Sequence, residues 1–384
     1  MAYLATLFLI ISSIPAVYPQ SIKTTAATLV GDDTLLTDVT YITPSTTTLF
    51  HYDTRTTPWL EHGSPTPACN GWPEFCSRRF SDITHVGAHN FAFARKHNGA
   101  SNQALSVADQ LNDGIRMLQA QVHFHNNTLT LCHTSCHLLN VGPLENHLEL
   151  IRAWIAEHPN DVVTLLLGNA DRVPPQTFLE PFERTGLMQH VFRPPQVPLP
   201  RDSWPTLQKM IQRGEQLVVV LDYGADQTQE SWLLDEFTHI WETPFSPTNA
   251  SFPCTVERPP GLDPKADDRM YIANHNLNTQ INLLGTSLLI PNRVAINQTN
   301  GMAGKGSAGA AVEECTAAWH RPPNFLLVDF YDSGSRPGSV FHVAARVNGV
   351  KYTRRCCGKA KAAASQAGSS LAVVVLAFVC AFLT

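Results

Sequence analysis

Through the middle of the chain, short apolar runs bounded by turn residues alternate with stretches whose apolar residues recur at helical spacing. DITHVGAH, RMLQAQVHF, DVVTLLLGN, QLVVVLDYG, RMYIAN and NFLLVDFYD predict strands that start at Asp82, Arg116, Asp161, Gln216, Arg269 and Asn324. Between them, SVADQLNDGI aligns Val107, Leu111 and Ile115, and ENHLELIRAWIAEH aligns Leu148, Ile151, Trp154 and Ile155, so each predicts a helix docking one face. Strand followed by helix, several times over, predicts parallel β-structure of the α/β class. An open doubly wound sheet fits the same pattern. A TIM-type (β/α) barrel is favoured by the length of the unit and by where its polar residues fall. Trp154 and Trp232 read as core aromatics.

Those polar residues follow the strand period of two. In RMLQAQVHF one side carries Leu118, Ala120 and Val122 and the other Gln119, Gln121 and His123, as expected of a barrel strand with helices outside and a site inside. The same parity groups His85, Gly87 and His89, with His89 at the carboxyl end, where parallel barrels carry their chemistry. His133, in LTLCHTSC, is the second candidate. An imidazole pair suits a phosphodiester, because one ring accepts the proton of the attacking hydroxyl while the other donates to the leaving alkoxide. Most of the 16 histidines are expected to serve surface or core roles instead. Asp222, Tyr223 and Asn274 also fall at strand ends as pocket candidates, whereas the parity and early position of Arg116 predict a structural role.

The flanks extend this picture. Residues 1–20 resemble a secretory signal, although without a basic n-region, and 21–66 form a Thr-, Ser- and Pro-rich arm. The barrel is expected over 67–357. In 358–384, small residues, a spacer and the apolar tail Leu371–Thr384 match a glycosylphosphatidylinositol (GPI) attachment signal; a transmembrane helix is the other reading, but the tail falls short of the roughly 20 apolar residues a span needs. Cysteine usage agrees with export. Removing Cys380 leaves eight cysteines, with short spacings favouring Cys69–Cys76 and Cys132–Cys136; Cys254–Cys315 would close a longer loop, and Cys356–Cys357 would need a tight ring. A zinc site on Cys132, His133, Cys136 and His137 is disfavoured because ligands so compressed do not easily close a tetrahedron. Sequons stand at Asn126, Asn249 and Asn297. A net charge of −5 with 15% charged residues excludes the basic stripe expected of a nucleic-acid binder.

Taken together, GAHN, DQLNDGIRMLQAQVHF, LCHTSC and EHPNDVVTLLLGN resemble the X-domain of phosphatidylinositol-specific phospholipase C-like phosphodiesterases, particularly secreted fungal members. The resemblance covers Cys69 to about Gly349. It implies metal-independent attack of an inositol hydroxyl on phosphorus, with His89 as general base, His133 as general acid and Asp329 orienting His89. Three positions depart from the family pattern. Asn90 replaces the aspartate that polarises the second histidine, and Gln119 and Gln121 stand where bacterial members carry Asp-x-Arg and metal-dependent members carry acidic ligands. Glutamines supply neither a cationic clamp nor ligands for a divalent ion, so no metal or cofactor is expected. Asn90, Gln119, Gln121, Asp222, Tyr223 and Asn274 are expected to line the substrate pocket.

Three functions follow from this pattern. The first is a surface-anchored phosphodiesterase acting on a phospholipid or other phosphodiester. The second is a catalytically silent barrel that binds glycolipid or cell-wall ligand, and the third a metal-dependent glycerophosphodiester phosphodiesterase. No nucleic-acid or protein partner is implied.

Overall fold

The computed structural model describes residues 68–358, apart from 263–264 and 284–285. The expected signal, arm, spacer and tail lie outside the described residues. Within them, twelve strands occur in chain order: β1 (His85–Ala88), β2 (Met117–His125), β3 (Thr128–Cys132), β4 (Asn140–Pro143), β5 (Val163–Gly168), β6 (Leu217–Leu221), β7 (Leu233–Asp235), β8 (Ile240–Glu242), β9 (Met270–His275), β10 (Asn278–Leu283), β11 (Thr286–Pro291) and β12 (Phe325–Val328). Eight form one parallel path, β7-β6-β5-β2-β1-β12-β9-β8, which includes all six strands predicted from the pattern.

The sheet curls into an α/β barrel left open along one seam, since β7 and β8 end the path without pairing. Only the four-residue helix Glu236–His239 joins these two strands. A crossover that lays parallel strands side by side takes a dozen residues or more, so this link is too short to close the ladder. The TIM-type barrel expected from the sequence is thus present, with one seam between β7 and β8 unpaired. Both short strands also escaped the pattern reading, because three residues carry no measurable period.

Period-two alternation then sorts the strands into two layers. Leu118, Ala120 and Val122 of β2, with Leu165, Leu167, Val219, Leu326 and Val328 of its neighbours, face outward into a core shared with the helices. The helix Val107–Asp113 brings Leu111 to that layer; Ser106 caps its start by accepting from Asp109 N, and Gly114 stops it at φ +122°. The helix Leu144–Glu157 buries Leu148, Ile151, Trp154 and Ile155 on one face. Arg116 pairs with Asp161 at 2.7 Å and donates to two carbonyls, a structural role.

Inside the barrel, each inward series turns from apolar to polar toward the carboxyl end. Met117 leads to Gln119 and Gln121, Val220 to Asp222, Ile272 to Asn274, and Leu327 to Asp329. Gly87 gives way to His89, and the interior is tight enough there that a Cβ on Gly87 would lie 2.9 Å from Leu327 Cδ1. The apolar half forms the plug and the polar half the mouth.

Two hairpins lie off the parallel path. In one, β2 outruns its parallel neighbours and pairs antiparallel with β3 across Asn126 and Asn127, both left-handed at φ 49° and 59°, as a two-residue primed turn requires. The other hairpin joins β10 to β11. All four disulfides weighed from spacing are formed: Cys69–Cys76, Cys132–Cys136, Cys254–Cys315 and Cys356–Cys357. The second removes both thiolates that a zinc site at His133 would need.

Candidate active site

His89 follows β1 and Asp329 follows β12, and because these strands pair in register the two side chains meet, with Nδ1 2.8 Å from Oδ1. Both residues are buried. Asp329 Oδ1 also accepts from Asn102 Nδ2 at 2.9 Å, and the amide of Asn276 lies 3.3 Å from His89 Nδ1. With Nδ1–H donated to the carboxylate, the lone pair of His89 sits on Nε2. Asn90 Nδ2 lies 3.2 Å from that Nε2 and donates to it. Asn90 takes a left-handed φ of 50°, which asparagine tolerates better than most residues, and this turns the chain sharply after His89.

His133 arrives by a different route. It follows β3, so an antiparallel hairpin rather than a barrel strand returns it to the mouth, where Phe93 packs edge-on against its ring at 5.3 Å. Burial, reinforced by neighbouring His89, pushes its imidazole down to about 4. Its Nδ1 is buried without a hydrogen-bond partner. Asn90, expected in the substrate pocket, has His89 and Asn102 as its side-chain partners.

The two glutamines of β2 have a shared geometry that parity alone did not disclose. Gln119 Oε1 accepts from Asn90 N at 2.9 Å, and Gln121 Oε1 accepts from Thr134 N at 3.0 Å. Each therefore pins the peptide that follows one histidine. Both also line a cavity of about 390 Å³ with Asp222, Tyr223, Glu242 and Arg258.

Arg258 belongs to no repeating pattern in the sequence and is missing from the candidates read there. Its guanidinium reaches Glu242 at 3.0 Å, the Tyr223 hydroxyl at 2.9 Å and Asp222 at 3.5 Å. Burial opposes its charge, but Glu242, Glu236, Tyr223 and Asp222 outweigh that and hold it above its ordinary range. Burial, then the charge of Glu242, drives the Glu236 carboxyl well above the usual range. Burial likewise raises Asp222, whose Oδ1 accepts from Asn169 N at 2.6 Å. Asn274, expected in the pocket, lines it but directs its amide to Glu242 and Thr243. Asn102 and Gln103, in the loop after β1, and Glu236 and Glu242, in a four-residue helix and a three-residue strand, carry no signal in the sequence, because stretches so short show no period.

Among the described residues one cluster brings three metal-type ligand groups together, Asp113 with Cys356 and Cys357, and the disulfide between those cysteines removes both thiolates.

A family model described as PI-PLC X 1 matches residues 75–344 of the chain. The chain belongs to the PI-PLC X family. It is 48% identical over 340 residues to an uncharacterized secreted protein of Arthroderma benhamiae, covering 88% of this chain and 76% of the relative. It is 41% identical over 272 residues to PI-PLC X domain-containing protein 1 of the same organism, covering 69% of this chain and 86% of the relative. Among solved structures, it is similar at TM-score 0.47 and 11% identity to a phosphatidylinositol-specific phospholipase C from Listeria monocytogenes, covering 76% of this chain and 97% of that one. In this PI-PLC X chain, the GAHN and LCHTSC motifs of the family resemblance carry the two histidines at the barrel mouth.

Proposed function

We propose that this PI-PLC X chain is an exported phosphoric diester hydrolase that cleaves its substrate by acid/base exchange between His89 and His133. The reading rests on the His89–Asp329 hydrogen bond of 2.8 Å at the mouth. Asp329 orients the ring and leaves Nε2 to take the proton of the attacking hydroxyl, in the manner of an oriented general base. For this the Asn90 amide moves off Nε2 as the hydroxyl arrives.

His133 serves as the acid toward the leaving alkoxide. Alone it is neutral near pH 7, since burial holds it at about 4. An anionic phosphodiester brought beside it favours the imidazolium and supplies the charge the protein withholds. Gln119, Gln121, Asp222, Tyr223 and Asn274 form the wall that receives the head group. With Arg258 the one cation, among the described residues, beside Asp222, Glu242 and Glu257, acids outnumber cations in this cavity, which suits a hydroxyl-rich head group and disfavours further phosphates on it. Export is supported by the cysteine content, the signal-like start and the similarity to a secreted relative; a GPI-type tail would hold the barrel at the outer cell surface.

One observation favours a second reading, a silent barrel that binds its ligand without cleaving it: an amide rather than a free face occupies His89 Nε2. Initial rates on short-chain phosphatidylinositol and on glycerophosphodiesters, with and without EDTA, separate the two. Turnover that survives chelation and disappears in both His89→Ala and His133→Ala is expected. Saturable binding with no turnover in the unaltered protein would replace the hydrolase by the silent barrel.

A further inference from the structure

A second cavity of about 480 Å³ is formed by the loop after β1 and the segments after β11 and β12. Arg95, Lys96 and His97 come from the first, Arg293 from the second, and Gln103 and Phe330 are its most buried lining. Arg293 is held in place, stacked 4.3 Å over the Phe330 ring and donating to the carbonyls of Asn98 and Ser101. Arg95 donates to the Asn140 carbonyl at 3.1 Å. Among the described residues no carboxylate ion-pairs with Arg95, Lys96 or Arg293. One acid, Asp332, lies within electrostatic reach of Arg293, and its carboxyl is raised by burial. The charge balance is thus the reverse of that in the cavity around Arg258.

Gln103 narrows the ligand. Its amide nitrogen is committed to the carbonyls of His89 at 2.8 Å and Val328 at 3.0 Å, while its Oε1 is buried with no partner. An unpaired buried acceptor costs free energy that a donor would recover. A ligand for this cleft therefore needs anionic oxygens for the three permanent cations, and an O–H on it would satisfy Gln103 once the side chain turns its buried Oε1 outward.

We propose that the cleft binds a phosphate group separate from the diester that reacts, either a phosphate monoester or free phosphate. Monohydrogen phosphate, or a monoester in its singly ionised form, carries charge and a P–OH on one tetrahedral centre, whereas sulfate at neutral pH has no hydrogen to offer and a phosphodiester has none on phosphorus. The assignment does not depend on turnover by the histidine pair. A phosphate seated here would lie one hydrogen-bonded residue, Gln103, from His89.

The test uses the full chain in isothermal titration calorimetry at pH 7, with inorganic phosphate and sulfate at matched ionic strength. Saturable phosphate binding is expected, with sulfate several-fold weaker. Replacing Arg95→Gln and Lys96→Gln together is expected to weaken phosphate by about tenfold or more, since two charge-assisted contacts are lost. The single variant Lys96→Glu, at an exposed position, should weaken it as well, and His89→Ala should leave it intact. Binding unchanged in both cleft variants, equal affinity for sulfate, or loss in His89→Ala would each overturn the assignment. Sedimentation with phosphatidylcholine vesicles containing phosphatidic acid, reversed by inorganic phosphate, identifies a lipid-borne monoester as the source. Calorimetric binding without sedimentation supports the cleft equally and identifies soluble phosphate.

Discussion

His89 Nδ1 and Asp329 Oδ1 lie 2.8 Å apart at the ends of neighbouring strands, although 240 residues separate them in the chain. The register of β1 on β12 brings them together, and the acceptor fixes which ring nitrogen keeps its proton. Asp329→Asn preserves the shape but offers an amide donor to the same nitrogen, favouring the wrong tautomer. Activity on a phosphodiester should fall by roughly 10²- to 10⁴-fold with little change in KM. A loss of less than threefold would remove Asp329 from the mechanism.

Asn90→Asp places a carboxylate where an amide now donates to His89 Nε2 at 3.2 Å. A negative charge at that distance favours imidazolium, so the acidic limb of the rate profile should move up by about one pH unit. The ratio of activity at pH 8 to that at pH 6 is the quantity to measure. An unmoved limb means that residue 90 does not reach the base when substrate is bound.

Gln121→Ala frees Thr134 N, and with it the loop that carries His133. Because the contact positions the second ring without touching a reacting atom, kcat should drop by about tenfold or more, the cost of a misplaced acid. Gln121→Glu, which keeps the acceptor, should restore most of the rate. Equal loss in both variants would point instead to substrate contact.

Arg258→Met would leave the carboxylates of Asp222 and Glu242 without their shared cation. Breaking such a pair from one side costs about 3 kcal/mol, a fall in Tm on the order of 10 °C. Glu236→Gln should leave Tm unchanged or raise it, since burial already works against a charge on that carboxyl. A stable Arg258→Met protein would mean that water, not the guanidinium, solvates those acids.

Stability should also depend on pH through buried histidines. Burial lowers His85 to about 3, and His133, His239 and His275 each to about 4, below the ordinary 6.5. Between these values the unfolded chain binds protons that the folded one refuses. The stabilisation is therefore complete above pH 6.5 and declines as pH falls from there toward 4, with each ring contributing up to about 1.4 kcal/mol per pH unit. Thermal melts at pH 7.5, 6 and 5 should show Tm falling at each step; a level Tm across that range would contradict the burial of these rings.

Much of the site was legible because a strand has a period of two and a parallel barrel concentrates its polar residues at one end. Gln119, Gln121, Asp222 and Asn274 all line the cavity. Arg258 and Gln103 were not, since neither belongs to a repeating pattern and each matters only through partners distant in sequence. The hairpin that delivers His133 had a local signal, the Asn126-Asn127 turn between two alternating runs, which the sequence reading took only as a sequon.

By itself the sequence determined six of the eight strands of the parallel path, two of the helices that cover them and the inward parity, because these depend on a periodicity that any stretch of chain carries with it, whereas cysteine spacing offered pairings only as candidates. Tertiary structure alone decided that the barrel stays open between β7 and β8, that Asn90 turns to His89, and that two glutamines hold the two histidine loops. It also decided that one cavity is rich in acids and its neighbour in unpaired cations. Hydrogen-bond partners and net charge at a point in space follow from which strands lie side by side, and register across a curled sheet is fixed only when the whole sheet is packed.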